Sequence, residues 1–269
     1  MSYTSLMVYV DQELERVRLA ADLAGRLQAR LIGIAARPTM PVVTGEDAAI
    51  DATLFQEEEV AARQHLDKAG ELFRATAGSA SAALEWRSAP DFPDRFVVRE
   101  SRAADLVVIG QTSAKLPGSL DPGGFLLRAG RPILVVPTAV ASLSPRRVIV
   151  AWKDTREARR ALADAVPILQ LAESILVVEV CDWGAEDSVL HRLKDVSRFL
   201  TQHRIANVTE RVLLQAAIAG DVLIRFAQEV QADLIVAGAY GHSRLGEWMF
   251  GGVTRDLLTK SQICCLFSH

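Results

Sequence analysis

Two stretches of the chain, AADLVVIG at residues 103–110 and QADLIVAG at 231–238, are nearly identical. Each places a run of apolar residues between an aspartate and a glycine, a pattern typical of a strand that is buried on both faces. Short apolar runs alternate with helical patterns in the same order in both halves, beginning with LMVYV at 6–10 and VIVAW at 148–152. The sequence therefore predicts the same α/β unit twice.

The alternation also predicts the fold class. Short apolar strands separated by helices of ten or more residues favour right-handed βαβ crossovers and a parallel sheet. We expect two tandem doubly wound domains, at 1–140 and 145–269, with the boundary in the Pro- and Ser-containing stretch PTAVASLSPRR (137–147). The stretch PTMPVVTGEDAAID (38–51) predicts a solvated connection, with a lid over a cleft as the alternative.

Composition narrows the class of partner. The chain of 269 residues has a net charge of −3 and no basic block in either half, which argues against a nucleic-acid partner. No apolar run approaches the roughly 18 residues that span a bilayer, so we expect no membrane partner. The N-terminal residues show no signal-peptide pattern, and the three cysteines have no metal spacing, which together predict a cytoplasmic protein.

The cysteines have a simpler interpretation as small core residues. Cys264 and Cys265 are adjacent, and successive side chains of a strand point to opposite faces. We therefore expect these two thiols on the two sides of one strand, where they cannot share a metal ion or a bridge.

The second of the two near-identical strands leads into a glycine-rich stretch, GAYGHSRLGEWMFGGVTRDLL (238–258). Ligands of open parallel sheets bind outside the carboxyl ends of the strands, and glycines there allow a close backbone approach. A helix that begins near GGVTRDLLTK would also direct free N–H groups at a phosphate. The alternative is that the first glycines form a tight turn and the later ones allow close packing of a helix. The candidate binding residues are Gly238, Gly241, His242, Ser243, Gly251, Gly252, Val253 and Thr254.

The spacing Gly238-x2-Gly241-x9-Gly251 is similar to the nucleotide-binding signature G-x2-G-x9-G-(S/T) of the universal stress protein family. The resemblance extends over nearly the whole chain as two tandem domains. It implies five parallel strands per domain in the order 3-2-1-4-5, with the last strands pairing to form an internal pseudo-dimer or a homodimer. It also implies that ATP or AMP, with Mg²⁺, binds with its phosphates at the glycines, its ribose at an Asp after the first strand and its adenine near the end of the second.

The second half departs from this pattern at two positions. Gly252 stands where the family has Ser or Thr, although the Thr254 hydroxyl lies two residues further on. Lys153 stands at the position of the ribose-binding Asp, and a lysine ammonium cannot accept a hydrogen bond. Lys153 therefore either contacts a phosphate or is solvated, and the neighbouring Asp154 is the alternative ribose ligand. Near Val180, a contact with adenine and a role in the core remain equally open.

The first half departs in the opposite way. Asp11 occupies the position of the ribose acid, but Ser113 replaces the second glycine of the signature. We therefore expect any nucleotide in the second half rather than the first.

No pattern of catalytic residues is present. The sequence has no G-x-S-x-G elbow and no metal-spaced cluster, and His242 alone of the histidines falls in the candidate site. We expect a nucleotide-binding stress or regulatory protein and not an enzyme, with at most weak ATP hydrolysis. The alternative is a tandem scaffold that binds protein partners and no nucleotide.

Overall fold

The computed structural model describes residues 2–39, 43–44, 49–50, 52–78, 83–111, 120–215, 217–241 and 252–269. The elements of the first half are, in chain order, β1 (Ser5–Tyr9), α1 (Leu14–Leu27), β2 (Arg30–Ala36), β3 (Val43–Thr44), β4 (Ala49–Ile50), α2 (Ala52–Ala77), β5 (Leu84–Ala89), α3 (Pro93–Glu100), β6 (Leu106–Gly110), α4 (Pro122–Arg128) and β7 (Ile133–Val136). Those of the second half are β8 (Arg147–Ala151), α5 (Arg156–Leu169), β9 (Ser174–Cys181), α6 (Glu186–Gln202), β10 (Val208–Leu214), α7 (Ala219–Glu229), β11 (Leu234–Gly238), α8 (Gly252–Lys260) and β12 (Cys264–Ser268).

Ten of these strands form one sheet in the order β10-β9-β8-β11-β12-β7-β6-β1-β2-β5. Within each half the neighbours are parallel and the order is 3-2-1-4-5, which confirms the predicted fold class. The halves join through their last strands, where β12 and β7 pair antiparallel and Leu266 faces Leu134. The boundaries at 140 and 145 stay a prediction, because a continuous sheet does not mark them.

Helices cover both faces of the sheet, so successive strand residues enter two separate cores. Leu6 and Val8 of β1 belong to one core, and Met7 belongs to the other. Cys264 and Cys265 divide in the same way, as predicted. Burial raises the pKa of both thiols to about 12, which suits core residues rather than reactive ones.

Two local features differ from the expectation. The strand predicted from residue 103 begins at Leu106, because Ser101–Ala103 form a 3-10 turn first. The stretch 38–51, expected as a solvated connection, contains the short antiparallel pair β3 and β4. Neither difference moves the carboxyl ends of the long strands, which form the edge that positions the candidate site.

Candidate functional site

A cavity of about 360 Å³ opens at the carboxyl ends of β8, β9 and β11 in the second half. These strands are neighbours in the order β9-β8-β11, so the cavity lies where the chain changes direction across the sheet. Its volume falls within the roughly 300–1,000 Å³ that is usual for small-molecule sites. The described lining residues include no carboxylate and are Ala151, Trp152, Lys153, Thr155, Ala158, Val178, Val180, Gln215, Ala219, Leu223, Ala237, Gly238, Gly241, Gly252, Val253 and Thr254.

The first glycine of the candidate loop is required by the packing of a helix. A Cβ built on Gly238 would lie 2.4 Å from the backbone nitrogen of Ala158 and 2.6 Å from the carbonyl carbon of Glu157. Gly238 therefore lets the first turn of α5 pack directly on β11, a role considered for the later glycines of the sequence and not for this one. It also contributes to the wall of the cavity.

The second glycine is confined by polar atoms. A Cβ on Gly241 would lie 2.9 Å from Glu157 Oε2 and 3.0 Å from Thr155 Oγ1. The left-handed backbone of this segment is found at Tyr240, whose φ is 58°, and not at the glycines beside it. A side chain at residue 241 would thus displace groups of the first turn of α5.

Glu157 brings a negative charge next to the start of the glycine loop, and sequence reasoning missed it. Burial raises the pKa of its carboxyl group, but its own backbone N–H and the Arg156 guanidinium outweigh burial and hold this pKa below the usual range. Arg156 Nη2 lies 2.9 Å from Glu157 Oε1, so the charge is paired.

Helix α8 begins at Gly252, close to the predicted start. No described atom lies within 4 Å of a Cβ built on Gly252, so a side chain has room there. Two residues on, the buried Thr254 hydroxyl accepts a hydrogen bond from the Tyr240 backbone N–H at 3.3 Å and ties α8 to the end of β11. Val253 and Thr254 both line the cavity.

Lys153 and Asp154, the two candidates that follow the first strand of this half, differ in whether they line the cavity. Lys153 lines the cavity and forms no ion pair within the described part of the chain. The Asp154 carboxylate lies 2.6 Å from Arg159 Nη2 and is not among the described lining residues. Val180 lines the cavity from β9, while His242, Ser243 and Gly251 lie outside the described residues.

Three further polar side chains reach the cavity. Thr155 caps α5 by accepting a hydrogen bond from the Ala158 N–H at 3.3 Å, and Gln215 follows the third strand of this half. The Trp152 indole Nε1 is closed off from solvent and has no hydrogen-bond partner among the described residues. Its position directly after a strand was the signal that could have identified Gln215.

The first half is different at the equivalent place. Arg16 is the third residue of α1, as Ala158 is of α5, and its side chain is only 3% exposed. Its Nη1 lies 2.9 Å from Asp11 Oδ2, and its Nη2 lies 2.6 Å from Glu13 Oε2. A Cβ on Gly110 would lie 2.2 Å from Nη2. Asp11, the acid that the resemblance assigns to a ribose, is therefore bound to a guanidinium of the chain itself.

The family model that matches this chain covers the half that contains the cavity. It is the universal stress protein family, matched at residues 145–268. Residues 145–268 therefore form a domain of the universal stress protein family. The first half repeats the strand order of the second, so the tandem form of universal stress proteins fits the whole chain.

Two solved structures that span nearly the whole chain share its fold. A universal stress protein from Archaeoglobus fulgidus DSM 4304 is similar over 98% of this chain and 97% of its own, at 14% identity and a TM-score of 0.71. A functionally unknown protein from Pseudomonas aeruginosa PAO1 is similar over 99% and 92%, at 17% identity and a TM-score of 0.58. A universal stress protein in complex with cAMP covers 52% of this chain with 100% of its own, at 23% identity and a TM-score of 0.36.

Neither curated proteins nor the helices of the chain add to this assignment. The search of curated proteins found no match. Within the described ranges, no helix has both the length and the apolar character needed to cross a membrane. The universal stress protein assignment thus depends on the family model and the fold.

Proposed function

We propose that this universal stress protein binds an adenine nucleotide, ATP or AMP, in the cavity of its second half and acts in stress response or regulation. The observation that carries the proposal is the place where the cavity opens. It lies at the switch point of a parallel sheet and is bounded by the start of α8, where ligands of this fold class collect.

The lining supports one orientation of the nucleotide. The side chains from β9 are apolar at Val178 and Val180, and Gln215, which follows the neighbouring strand β10, also lines the cavity, which suits a flat base with polar edges. On the other side, β11 is followed by Gly241, and α8 begins at Gly252, where free N–H groups and the helix dipole favour phosphates. The proposed base therefore lies over β9 and the proposed phosphates lie between β11 and α8.

The proposal also covers the metal ion, the activity, the cellular location and the assembly of the protein. Mg²⁺ enters with the phosphates of ATP, and binding rather than turnover is the proposed activity, with at most weak ATP hydrolysis. We place the protein in the cytoplasm, with its two halves acting as an internal pseudo-dimer. A homodimer of such chains is the alternative assembly.

A second candidate function has an observation of its own. The ionised Glu157 lies beside Gly241, where it would repel a phosphate, and Arg16 fills the equivalent place in the first half. These features favour a scaffold that holds protein partners and binds no nucleotide.

Calorimetry and thermal melting with ATP, ADP and AMP, with and without Mg²⁺, distinguish the two. A nucleotide at 100 times its Kd should stabilise the protein by about 2.7 kcal/mol. In Gly241→Val this shift should disappear, because the added branches meet Thr155 and Glu157 at a position that lines the cavity. The variant without ligand must melt close to the unmodified protein for that comparison to hold. Absence of any shift at millimolar nucleotide would leave the scaffold function.

A further inference from the structure

The order of the strands fixes which part of a nucleotide lies near Lys153. This step rests on the proposed function, in which the base lies over β9 and the phosphates lie beside β11. Strand β8 lies between these two strands in the sheet. The sugar joins the base to the phosphates and therefore lies over the end of β8, where Lys153 follows and lines the cavity.

The first half shows that a side chain at this position reaches into the cleft. Asp11 follows β1 as Lys153 follows β8, and its carboxylate contacts the Arg16 guanidinium at 2.9 Å. That guanidinium is itself packed against Gly110, the counterpart of the cavity-lining Gly238. At this position the first half has an acid, Asp11, which binds the cation of Arg16. The second half has a base, Lys153, which would bind an anion instead.

The positive charge of Lys153 is available to a ligand. The two carboxylates closest in sequence are already paired, Asp154 with Arg159 at 2.6 Å and Glu157 with Arg156 at 2.9 Å. Lys153 forms no ion pair of its own within the part of the chain that the structure describes, and no carboxylate is among the described lining residues. A ligand group that accepts from an ammonium ion therefore fits this end of the cavity better than a donor.

We propose that the site prefers an adenine nucleotide whose sugar carries a phosphate at the 2′ or 3′ position. In doubly wound folds that bind NAD, an acidic residue accepts a hydrogen bond from the free ribose hydroxyl. In those that bind NADP, a basic residue accommodates the phosphate on the sugar. A lysine can only donate, and a phosphate oxygen is the strong acceptor that pairs with it.

The experiment compares AMP with adenosine 2′,5′-bisphosphate and adenosine 3′,5′-bisphosphate by calorimetry. At least one bisphosphate should bind about five-fold more tightly than AMP, since Lys153 is exposed and an exposed ion pair contributes little. The preference should weaken as the salt concentration rises. In Lys153→Met the affinities should converge, and in Lys153→Asp the order should reverse. The control Lys194→Met removes an exposed lysine that is not among the described lining residues and should keep the preference.

The outcomes separate this inference from the proposed function. If AMP and both bisphosphates bind with equal affinity, or if Lys153→Met keeps the ratio, the inference is wrong and nucleotide binding stands. If none of the three binds and ATP does not bind either, both are wrong.

Discussion

The Arg16 guanidinium lies against the α-carbon of Gly110, so close that a Cβ built there would be 2.2 Å from Nη2. The equivalent glycine of the second half, Gly238, lies instead against the backbone of Ala158, whose small side chain leaves the cavity open. One residue of the first helix thus distinguishes the two halves at the candidate site.

Replacing Arg16 with Met should destabilise the first half. The substitution leaves the carboxylates of Asp11 and Glu13 without their cation, but both are more than a third exposed and can be hydrated. We therefore expect a loss of about 2 kcal/mol, below the 3–5 kcal/mol that is typical of breaking a fully buried pair. The midpoint of urea denaturation measures it.

The matched control for this prediction is Arg18→Met on the same helix. Arg18 pairs with Glu15, and both side chains are about half exposed, so the loss should stay below about 1 kcal/mol. Equal effects of the two substitutions would show that the buried position of Arg16 contributes nothing special.

Filling the second cavity should abolish ligand binding without unfolding the protein. Ala158 is 4% exposed and lines the cavity, so Ala158→Leu places extra carbon atoms in the space that a nucleotide would occupy. If the ligand-bound state carries the usual cost of overpacking, about 1–3 kcal/mol, nucleotide binding should weaken by about five-fold or more. Calorimetry of Ala158→Leu beside Arg160→Leu, on the exposed side of α5, tests this, and unchanged binding in Ala158→Leu would place the ligand elsewhere.

A hydroxyl at the start of α8 should strengthen phosphate binding. The space around Gly252 is open among the described residues, so Gly252→Ser adds a donor without a clash. One added hydrogen bond of about 1 kcal/mol corresponds to about five-fold in affinity. Gly252→Ala is the control, because it changes the backbone freedom in the same way but supplies no hydroxyl. If the alanine variant gains as much as the serine variant, the effect comes from the backbone.

The stability of the first half should depend on pH through Glu100. Burial raises the pKa of this carboxyl group, but the hydrogen bond from Arg87 at 2.7 Å, the charge of Arg102 and the hydrogen bond from Arg99 outweigh burial and leave the pKa below its usual range. A lowered pKa in the folded state means that the contribution is complete above the unfolded value of about 4.3. It is lost as the pH falls through the folded value.

Urea denaturation at a series of pH values between about 3 and 7 tests this dependence. The unmodified protein should lose stability more steeply than Glu100→Gln as the solution becomes acidic, because only in the unmodified protein does the unfolded state bind a proton at this position more readily than the folded state. All other carboxylates are common to both proteins, so parallel curves would show that Glu100 is not stabilised by its arginines.

The fold followed from local signals in the sequence, and the site followed only in part. Short runs of residues are enough to predict alternating strands and helices, which is why the doubly wound fold class could be predicted. The strand order of each half was implied by the resemblance to the universal stress protein family. Lys153 and Val180 both line the cavity, because the carboxyl ends of parallel strands converge there. The pairing of Asp154 with Arg159 could not be predicted, since it depends on the rotamers of two exposed side chains.

The role of Arg16 was also beyond sequence reasoning. In the sequence it is one arginine among several in an amphipathic helix, and nothing local indicates that its side chain turns toward Gly110. Only the packing of α1 on the end of β6 brings the two together. The same holds for Gly238, whose close contact with α5 is a property of the packed helix and not of the glycine spacing.

The antiparallel pairing of β7 with β12 has a consequence for how the two halves can evolve. In a homodimer built on such a joint, symmetry makes the two clefts identical, so any substitution changes both at once. Here the partners are joined in one polypeptide and meet at a high effective concentration whatever the dilution. Each half is therefore free to acquire its own residues, and one cleft can be closed by an arginine while the other stays open.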